Sequence, residues 1–338
     1  MSGGMVRGCL RRAAVFSVVL SCVSLPTSAV EGSSQRYEFQ QLHMGTRFRI
    51  VFYSPNPTEV NDAARDAFAR IERLERILSS HREDSELRHV SARAFQGPQV
   101  LSRDLYSVLE MSLRFSRLSQ GAFDITIHPF LQLWHSAREQ GRLPDGVVVE
   151  QERRRVGYRL LLLNPRTRAL RFRVPGVQLD LGGIGKGYAA DEALKVLREK
   201  GISSALIDAG GDIRVGEPPP GRRGWTIELS DSSSPGHELL LSNCAIASSG
   251  DAFQYVEIDG IRYSHIIDPE TGLGLQGART VTLIAPRAAV ADALATAVSV
   301  LGPDRGFAMI GGMHGVSAHY ICHAKHGREE RSSNGFPP

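Results

Sequence analysis

One helix-like segment, AAVADALATAVSVL at residues 288–301, carries a single charged residue in an otherwise apolar run. That residue is Asp292, and Thr296 follows four positions later, so an α-helix places both side chains on one face, about 40° apart. A carboxylate on an apolar helix must be paired, hydrogen-bonded or metal-bound, because burying it alone is costly. Oxygen ligands of this kind suit Mg²⁺ or Ca²⁺ rather than zinc. The alternative interpretation is that Asp292 caps a neighbouring loop and Thr296 bonds its own backbone.

A second segment, LDLGGIGKGYAAD at residues 179–191, could hold a phosphate. The pattern predicts Asp180 at the end of a strand, then four glycines and Lys186 leading into a helix, an arrangement that exposes backbone N–H groups to an anion. The glycine spacing fits neither a Walker A loop nor a GxGxxG fingerprint. A tight structural turn is the alternative, and the combination of Asp180 with Lys186 favours an anion or a metal-bound phosphate.

A third segment, YSHIIDPET at residues 263–271, brings His265 and Asp268 to the end of a predicted strand, because Pro269 and Gly272 mark a turn. A lone histidine is more often a structural residue than a catalyst, so this segment by itself identifies no site.

Three shorter pieces are MGT at 44–46, GAFDIT at 121–126 and AGGD at 209–212. Together they suggest several loops converging on one cleft, as expected for a ligand as long as a dinucleotide.

The elements that must position these residues are mixed. Apolar spacing predicts helices over residues 60–78 after the N-cap candidate Thr58, over 103–118 after Ser102, over 188–200, and after Pro286. Short β-type runs lie at 48–53, 160–163, 169–174, 205–208, 225–229, 255–258 and 280–284. Strands and helices do not alternate strictly, which favours an α+β fold over a doubly wound parallel sheet.

Composition excludes several classes of protein. The 338 residues are 42% hydrophobic and 22% charged, as in an ordinary globular chain. The formal charge is +4, but three arginines lie in the first 29 residues, and the remaining 37 Lys and Arg face 36 Asp and Glu. The body of the chain therefore has no net basic character, and nucleic acid is not expected as a partner.

The N-terminus explains those arginines. Arg7, Arg11 and Arg12 precede an uncharged run at 13–26 and small residues that suit a signal-peptidase site, so residues 1–29 are predicted to be a secretory signal. The apolar run is shorter than the ~20 residues of a membrane-spanning helix. An imperfect lipobox before Cys22 offers an alternative cut and a lipid anchor. The expected location is the periplasm.

One folded domain is predicted over residues 37–322, followed by a disordered tail at 323–338 whose polar composition can bury little apolar surface. Only Cys244 and Cys322 lie in the body of the chain, and sequence leaves open whether they form a disulfide or two buried thiols.

Seven segments, taken in order along the chain, resemble the ApbE family of FAD:protein FMN transferases. They are MGT, SELRHV, GAFDIT, DLGGIGKGYAAD, AGGD, SHIIDPETG and DALATA. The resemblance covers nearly the whole body of the chain. It implies a single α+β ApbE-type domain with a central nucleotide-binding cleft, export, often as a lipoprotein, and use of FAD with Mg²⁺.

The resemblance also implies roles for individual residues. Asp292 and Thr296 hold the metal, helped by main-chain oxygens of Ala295 and Gly183. The flavin nucleotide contacts Met44, Ala122, Phe123, Asp124, Asp180, Lys186 and Ile267. His81, which stands where many members have tyrosine before the SEL motif, is a further predicted contact of the flavin nucleotide.

The implied reaction is transfer of FMN from FAD to a threonine or serine hydroxyl of an acceptor redox flavoprotein, with release of AMP. His265 is the first candidate for the proton acceptor and Asp268 the second. The alternatives are an FAD pyrophosphatase that releases FMN and AMP, and a non-catalytic flavin-binding lipoprotein.

Export predicts that the mature protein begins near Val30 or at a lipidated Cys22. N-terminal mass analysis of protein from the native host tests this prediction. Recovery of the chain with an intact Met1 would contradict it.

Overall fold

An eight-stranded antiparallel sheet forms the frame of the protein, with strand order β1-β2-β6-β7-β10-β14-β15-β16. The computed structural model describes residues 34–229, 238–250, 255–324 and 327–337. The strands of the sheet are β1 (Gln35–His43), β2 (Thr46–Ser54), β6 (Ala205–Ala209), β7 (Ile213–Val215), β10 (Ala245–Gly250), β14 (Ala278–Ala285), β15 (Ser317–Ala324) and β16 (Gly327–Ser332). The described residues belong to one compact unit.

Three small sheets complete the strands. They are β3 (Gln99–Val100), β5 (Ala169–Phe172) and β4 (Leu161–Asn164); β8 (Trp225–Glu228) and β9 (Glu238–Leu241); and β11 (Tyr255–Ile258), β12 (Ile261–Ile267) and β13 (Gly274–Gln276). The helices are α1 (Val60–Leu78), α2 (Glu86–Arg93), α3 (Arg103–Leu118), α4 (His128–Gln140), α5 (Gly146–Arg153), α6 (Gly185–Glu199) and α7 (Ala288–Ile310), with a 3₁₀ turn at Tyr158–Leu160. The predicted α+β class and single domain are confirmed.

The two faces of the large sheet have different surroundings. Alternate residues of the central strands, such as Phe48, Ile50 and Phe52 of β2, point into the main core and pack under α1, α6 and α7. The intervening residues point to the other face, where the β8–β9 hairpin covers part of the sheet with Trp225 and Ile227. The uncovered remainder of that face is polar.

The sequence patterns located most elements. Ser102 caps α3 as predicted, because its Oγ accepts a hydrogen bond from Leu105 N. Thr58 does not cap α1, since the N-cap position is Glu59 and no side chain bonds there. The helix predicted from Tyr188 begins one turn earlier, at Gly185. The helix after Pro286 continues to Ile310 with a break at Gly302, whose φ of 73° is left-handed and which precedes Pro303.

Two predictions about irregular segments were wrong. Asp180 does not end a strand, because β5 stops at Phe172 and Asp180 lies in an irregular stretch whose N–H bonds Ile125 O. The predicted tail is not wholly disordered, because residues 327–332 form the edge strand β16. An edge strand needs no apolar face: backbone bonds to β15 and the ion pair of Arg331 with Asp304 hold it.

Three further sequence expectations concern the N-terminal signal, the two cysteines and membrane-spanning helices. The predicted signal at 1–29, including Cys22, lies outside the described residues. Cys244 and Cys322 are both free thiols. Within the ranges that the structure describes, no helix has the length and apolar character needed to cross a membrane.

A half-buried ion network joins three of the helices beneath the site. The guanidinium of Arg70 on α1 bonds both carboxylate oxygens of Asp104 on α3 at 2.6 Å and Glu192 of α6 at 2.5 Å. Tyr188 of α6 donates to the same Asp104 at 3.1 Å. These hydrogen bonds, Arg70 foremost, lower the pKa of Asp104 despite its partial burial. The network fixes α6 against α1 and α3.

Arg70→Met should destabilise the protein by roughly 2–4 kcal/mol at neutral pH, because it leaves two carboxylates facing each other without their cation. A lowered pKa means that Asp104 contributes stability above its unfolded pKa and loses it as pH falls through the folded value. The difference between wild type and Arg70→Met in urea unfolding should therefore shrink below about pH 3.5. Arg65→Met, which breaks an exposed pair with Asp62 on the same helix, is the control and should cost under about 1 kcal/mol. An equal cost for the two variants, or a cost independent of pH, would contradict this account.

Candidate functional site

A cleft of about 1550 Å³ runs from the N-termini of α6 and α7 onto the polar face of the large sheet. Most of the predicted site residues line it: His81, Ala122, Phe123, Asp124, Asp180, Gly183, Lys186, His265, Ile267, Asp292, Ala295 and Thr296. The sheet contributes Arg49, Asp208, Ser248 and Thr282 from its polar face. Segments far apart in sequence therefore converge on one cavity, as predicted for GAFDIT and AGGD but not for MGT, none of whose residues lines it.

The turn before α6 is shaped by Asp180. Its Oδ1 accepts a hydrogen bond from Gly182 N at 2.8 Å, and its Oδ2 accepts one from Ser80 Oγ at 2.7 Å. His128 Nδ1 lies 3.5 Å from the same Oδ2. Burial by itself raises the pKa of Asp180, but the His128 and Ser80 side chains and the Gly182 N–H outweigh burial and hold the pKa below its usual value. The carboxylate stays charged and orders the glycine turn.

Lys186, the second residue of α6, lies between two acidic side chains. Its Nζ is 2.5 Å from Asp212 Oδ2 and 3.7 Å from Asp292 Oδ2. Burial lowers the pKa of Lys186, but the two carboxylates more than compensate and raise it above the usual value. Burial, followed by the charge of Asp212, raises the pKa of Asp292 to about 7. When both carboxylates are ionised, these two acids and one base carry a net charge of −1, which a bound cation would offset.

Asp292 and Thr296 lie on the cleft side of α7, as the spacing predicted. Asp292 Oδ2 accepts a hydrogen bond from Gly187 N at 3.1 Å, and Thr296 Oγ1 donates to Asp292 O at 3.3 Å. Asp292 thus bonds a neighbouring backbone N–H and Thr296 bonds its own helix, as the alternative, non-metal interpretation expects. The charged cluster around Lys186 is present as well. A Cβ added to Gly183 would lie 3.2 Å from Thr296 Oγ1 and 3.3 Å from Phe123, so Gly183, Thr296 and Phe123 are in contact.

The residues present fit a hard cation. Asp212 Oδ2 is buried and accepts no hydrogen bond from the described part of the chain, so its one partner there is the charge of Lys186. The Asp292 carboxylate, the Thr296 hydroxyl and main-chain oxygens are the ligand types that Mg²⁺ prefers. The carbonyl of Ala295 is already bonded by Ser299 Oγ at 2.9 Å. Among the described residues, no three His, Cys, Asp or Glu side chains cluster as a metal site.

The GAFDIT segment forms one wall of the cleft. Phe123 is buried and Ala122 lies at the boundary with a smaller cavity of about 590 Å³. The Asp124 carboxylate is bonded within the protein, by Thr126 N, Thr126 Oγ1 and Tyr158 N at 2.6–2.9 Å. Burial raises the pKa of Asp124. Its side chain holds the Gly157–Tyr158 turn against the wall of the cleft.

The remaining predicted residues divide between the two cavities. His265 and Ile267 of β12 line the main cleft, as does the exposed His81. Asp268 lines the smaller cavity, and its Oδ1 accepts a hydrogen bond from Glu270 N at 2.8 Å. Met44 does not line the cleft; it occupies the β1–β2 turn with a positive φ and packs against the main core.

Sequence reasoning missed three residues of this site. Asp212 was within the AGGD loop, which the sequence pointed to without giving the aspartate a role. Ser80 and His128 carried no signal of their own, because only the fold brings them to Asp180, 100 and 52 positions away.

Comparison with known proteins shows which family the chain is similar to. A sequence model of the ApbE family matches residues 44–320. The chain is 33% identical over 326 residues to an FAD:protein FMN transferase of Treponema pallidum, covering 90% of each chain. It is 30% identical to the protein of the same name from Vibrio cholerae, covering 87% of this chain and 90% of that one.

Solved structures show the same likeness. The flavin transferase ApbE from Vibrio cholerae superposes with a TM-score of 0.80 at 27% identity, covering 90% of this chain and 98% of that one. The apo flavinyl transferase ApbE of Pseudomonas stutzeri gives a TM-score of 0.80 at 26% identity, covering 90% and 96%. Since the family model matches residues 44–320, which include both helices that build the cleft, the chain belongs to the ApbE family.

Proposed function

We propose that this protein is an FAD:protein FMN transferase that uses Mg²⁺ and joins FMN to a threonine or serine hydroxyl of an acceptor flavoprotein. The observation that carries the proposal is the placement of Lys186 between Asp212 and Asp292 where the N-termini of α6 and α7 meet in the cleft. Membership of the ApbE family supports the choice of FAD and a protein acceptor. Export, with lipidated Cys22 as the alternative to cleavage near Val30, belongs to the same proposal and rests on the N-terminal pattern.

The pyrophosphate of FAD is assigned to the first turn of α6. That turn carries the positive end of the helix dipole and holds the cationic Lys186, and Gly183 lines the cleft just before it. Asp180 keeps the turn in place through Gly182 N. These groups attract and orient phosphate oxygens before any bond changes.

The metal is assigned to Asp292, Thr296 and the main-chain oxygen of Gly183, with Asp212 as a further carboxylate at the same point. Mg²⁺, when bound, neutralises charge on the pyrophosphate oxygens and on the leaving AMP. The net negative charge of Lys186, Asp212 and Asp292 when both carboxylates are ionised supports a cation here, because a second positive charge would balance it.

The transfer itself needs an attacking hydroxyl and a proton acceptor. The acceptor oxygen bonds the FMN-side phosphorus in line, the bond from that phosphorus to the bridging oxygen breaks, and AMP leaves with the bridging oxygen. His265 is assigned the hydroxyl proton, because it lines the cleft. Asp268 is less suited, since its carboxylate bonds the following turn and lines the neighbouring cavity.

The size of the cleft supports a protein acceptor. Small-molecule pockets occupy roughly 300–1,000 Å³, and this cleft measures about 1550 Å³ and opens onto the polar sheet face. A nucleotide and a segment of polypeptide can enter together. An FAD pyrophosphatase, with water as the attacking group, would use the same charged residues and is the second candidate.

Incubating the mature chain with FAD, Mg²⁺ and a redox flavoprotein acceptor tests the assignment. Intact-mass analysis should show an FMN-sized gain on the acceptor and stoichiometric AMP. Release of free FMN with no gain on any acceptor would favour the pyrophosphatase instead.

Asp292→Asn should fold, lose Mg²⁺ affinity and lose nearly all FMN transfer, with excess Mg²⁺ restoring a little, because the shape is kept and the charge is removed. Melting temperature and Mg²⁺-dependent activity are measured on the same sample. Asp104→Asn, which weakens the remote Arg70 network, serves as the control for stability alone. Full transfer by Asp292→Asn at unchanged Mg²⁺ would place the metal elsewhere.

His265→Asn should lower kcat for transfer by roughly 10²–10⁴-fold, the usual contribution of a general base. FAD affinity, measured by quenching of flavin fluorescence, should change little, because His265 is assigned to the proton and not to the nucleotide. A variant that loses FAD binding and transfer in parallel would show that His265 binds the nucleotide.

A further inference from the structure

The two helices that build the site cap each other's N-termini. Neither helix has a side-chain N-cap of its own, and neither has an acidic residue in its first turn. Instead, Asp191 of α6 accepts hydrogen bonds from Ala288 N and Ala289 N of α7, at 2.9 and 3.1 Å. In return, Asp292 of α7 accepts one from Gly187 N of α6. Four N–H groups at each helix start need such partners, so each carboxylate satisfies part of the other helix.

Asp191 is itself held from the side. Arg214 of β7 places its Nε 3.1 Å from Asp191 Oδ1, and its Nη1 donates to the carbonyls of Val215 and Cys244 at 2.8 and 2.6 Å. Arg287, the N-cap residue of α7, lies 3.5 Å from Asp191 Oδ2. The carboxylate is 8% exposed. It therefore links the start of α7 to α6 and to the central sheet.

The backbones of the two helices touch at the same point. A Cβ on Gly187 would lie 2.3 Å from Ala288 O and 2.5 Å from the Ala288 carbonyl carbon. Both atoms belong to the backbone and cannot swing away, so only glycine permits this separation. Within the GKGY sequence, contact between the helices thus requires glycine at Gly187. A Cβ added to Gly185 would meet only Leu181 Cβ, at 4.0 Å.

We propose that Asp191 is a positioning residue, which sets α7 against α6 so that Lys186, Asp292 and Thr296 share one cation and phosphate site. The inference rests on the proposed function. Asp191 touches the first turn of α7, and Asp292 lies one turn further along the same helix. If the cap is lost, the start of α7 is free to shift, and the distance between Lys186 and Asp292 changes with it.

The neighbouring Glu192 offers a matched control. It lies on the same helix, one residue away, and its carboxylate is also mostly buried, but its ion pair and hydrogen bonds within the described residues are with Arg70 on α1. Glu192→Ala therefore removes an ion pair from α6 and leaves the hydrogen bonds of Asp191 and Asp292 across the two helix N-termini in place. Any effect common to Glu192→Ala and Asp191→Ala reports helix stability alone.

The test measures Mg²⁺ affinity by calorimetry, without FAD, for wild type, Asp191→Ala, Asp191→Asn and Glu192→Ala. Asp191→Ala should weaken Mg²⁺ binding by roughly 10- to 100-fold, as for other groups that orient metal ligands. Asp191→Asn keeps an acceptor oxygen for one N–H and should fall between Asp191→Ala and wild type. Glu192→Ala should bind Mg²⁺ as wild type does, even where its melting temperature falls.

Gly187→Ala provides a second perturbation if Asp191→Ala does not fold. The added methyl pushes the two backbones apart with both carboxylates intact, so Mg²⁺ affinity should again fall. Equal Mg²⁺ affinity in Asp191→Ala, Gly187→Ala and wild type would overturn the inference. That result differs from failure of the proposed function, in which the wild type itself would show no Mg²⁺ binding and no transfer.

Discussion

The close contact of α6 and α7 at Gly187 is the constraint on which the rest of the site depends. With the backbones touching there, the two helix N-termini and their positive dipole ends meet at the floor of one cleft. Asp292 sits at this junction, buried and bonded to the opposite helix. Lys186 and Asp212 complete a charged cluster that lines the cleft and borders the apolar core. Such a cluster is costly to bury, and charge of this kind is expected where an anion and a cation are bound together.

The large antiparallel sheet makes that junction possible. Its inner face supports α6 and α7 through small and branched side chains, among them Ala245, Ala247 and Leu283. The turn between β6 and β7 delivers Asp212 to Lys186, and β7 supplies Arg214 to Asp191. The outer face carries the polar residues that extend the cleft. One sheet thus anchors the charged end of the cavity and leaves its other end open to a second substrate.

The parts of the fold that follow from local pattern were predictable. The periodicity of residues 60–78 and 103–118 locates α1 and α3, and the isolated charge at Asp292 identifies the face of α7 that lines the cleft. What sequence could not supply were contacts between distant segments. The bonds from Asp191 to Ala288 and from Asp292 to Gly187 span 97 and 105 residues, and no local rule indicates them. Strand β16 was missed for a related reason, since its stability comes from backbone pairing with β15 rather than from apolar residues.

The central claim is that the nucleotide phosphates and the metal meet at the junction of α6 and α7. A crystal structure of the protein with FAD and Mn²⁺, which has a usable anomalous signal, tests this claim most directly. The account predicts an anomalous peak in contact with the carboxylate of Asp292 and the hydroxyl of Thr296, with the pyrophosphate of FAD at the first turn of α6 beside Lys186. A peak elsewhere in the cleft, or FAD bound with its phosphates away from Lys186, would contradict it.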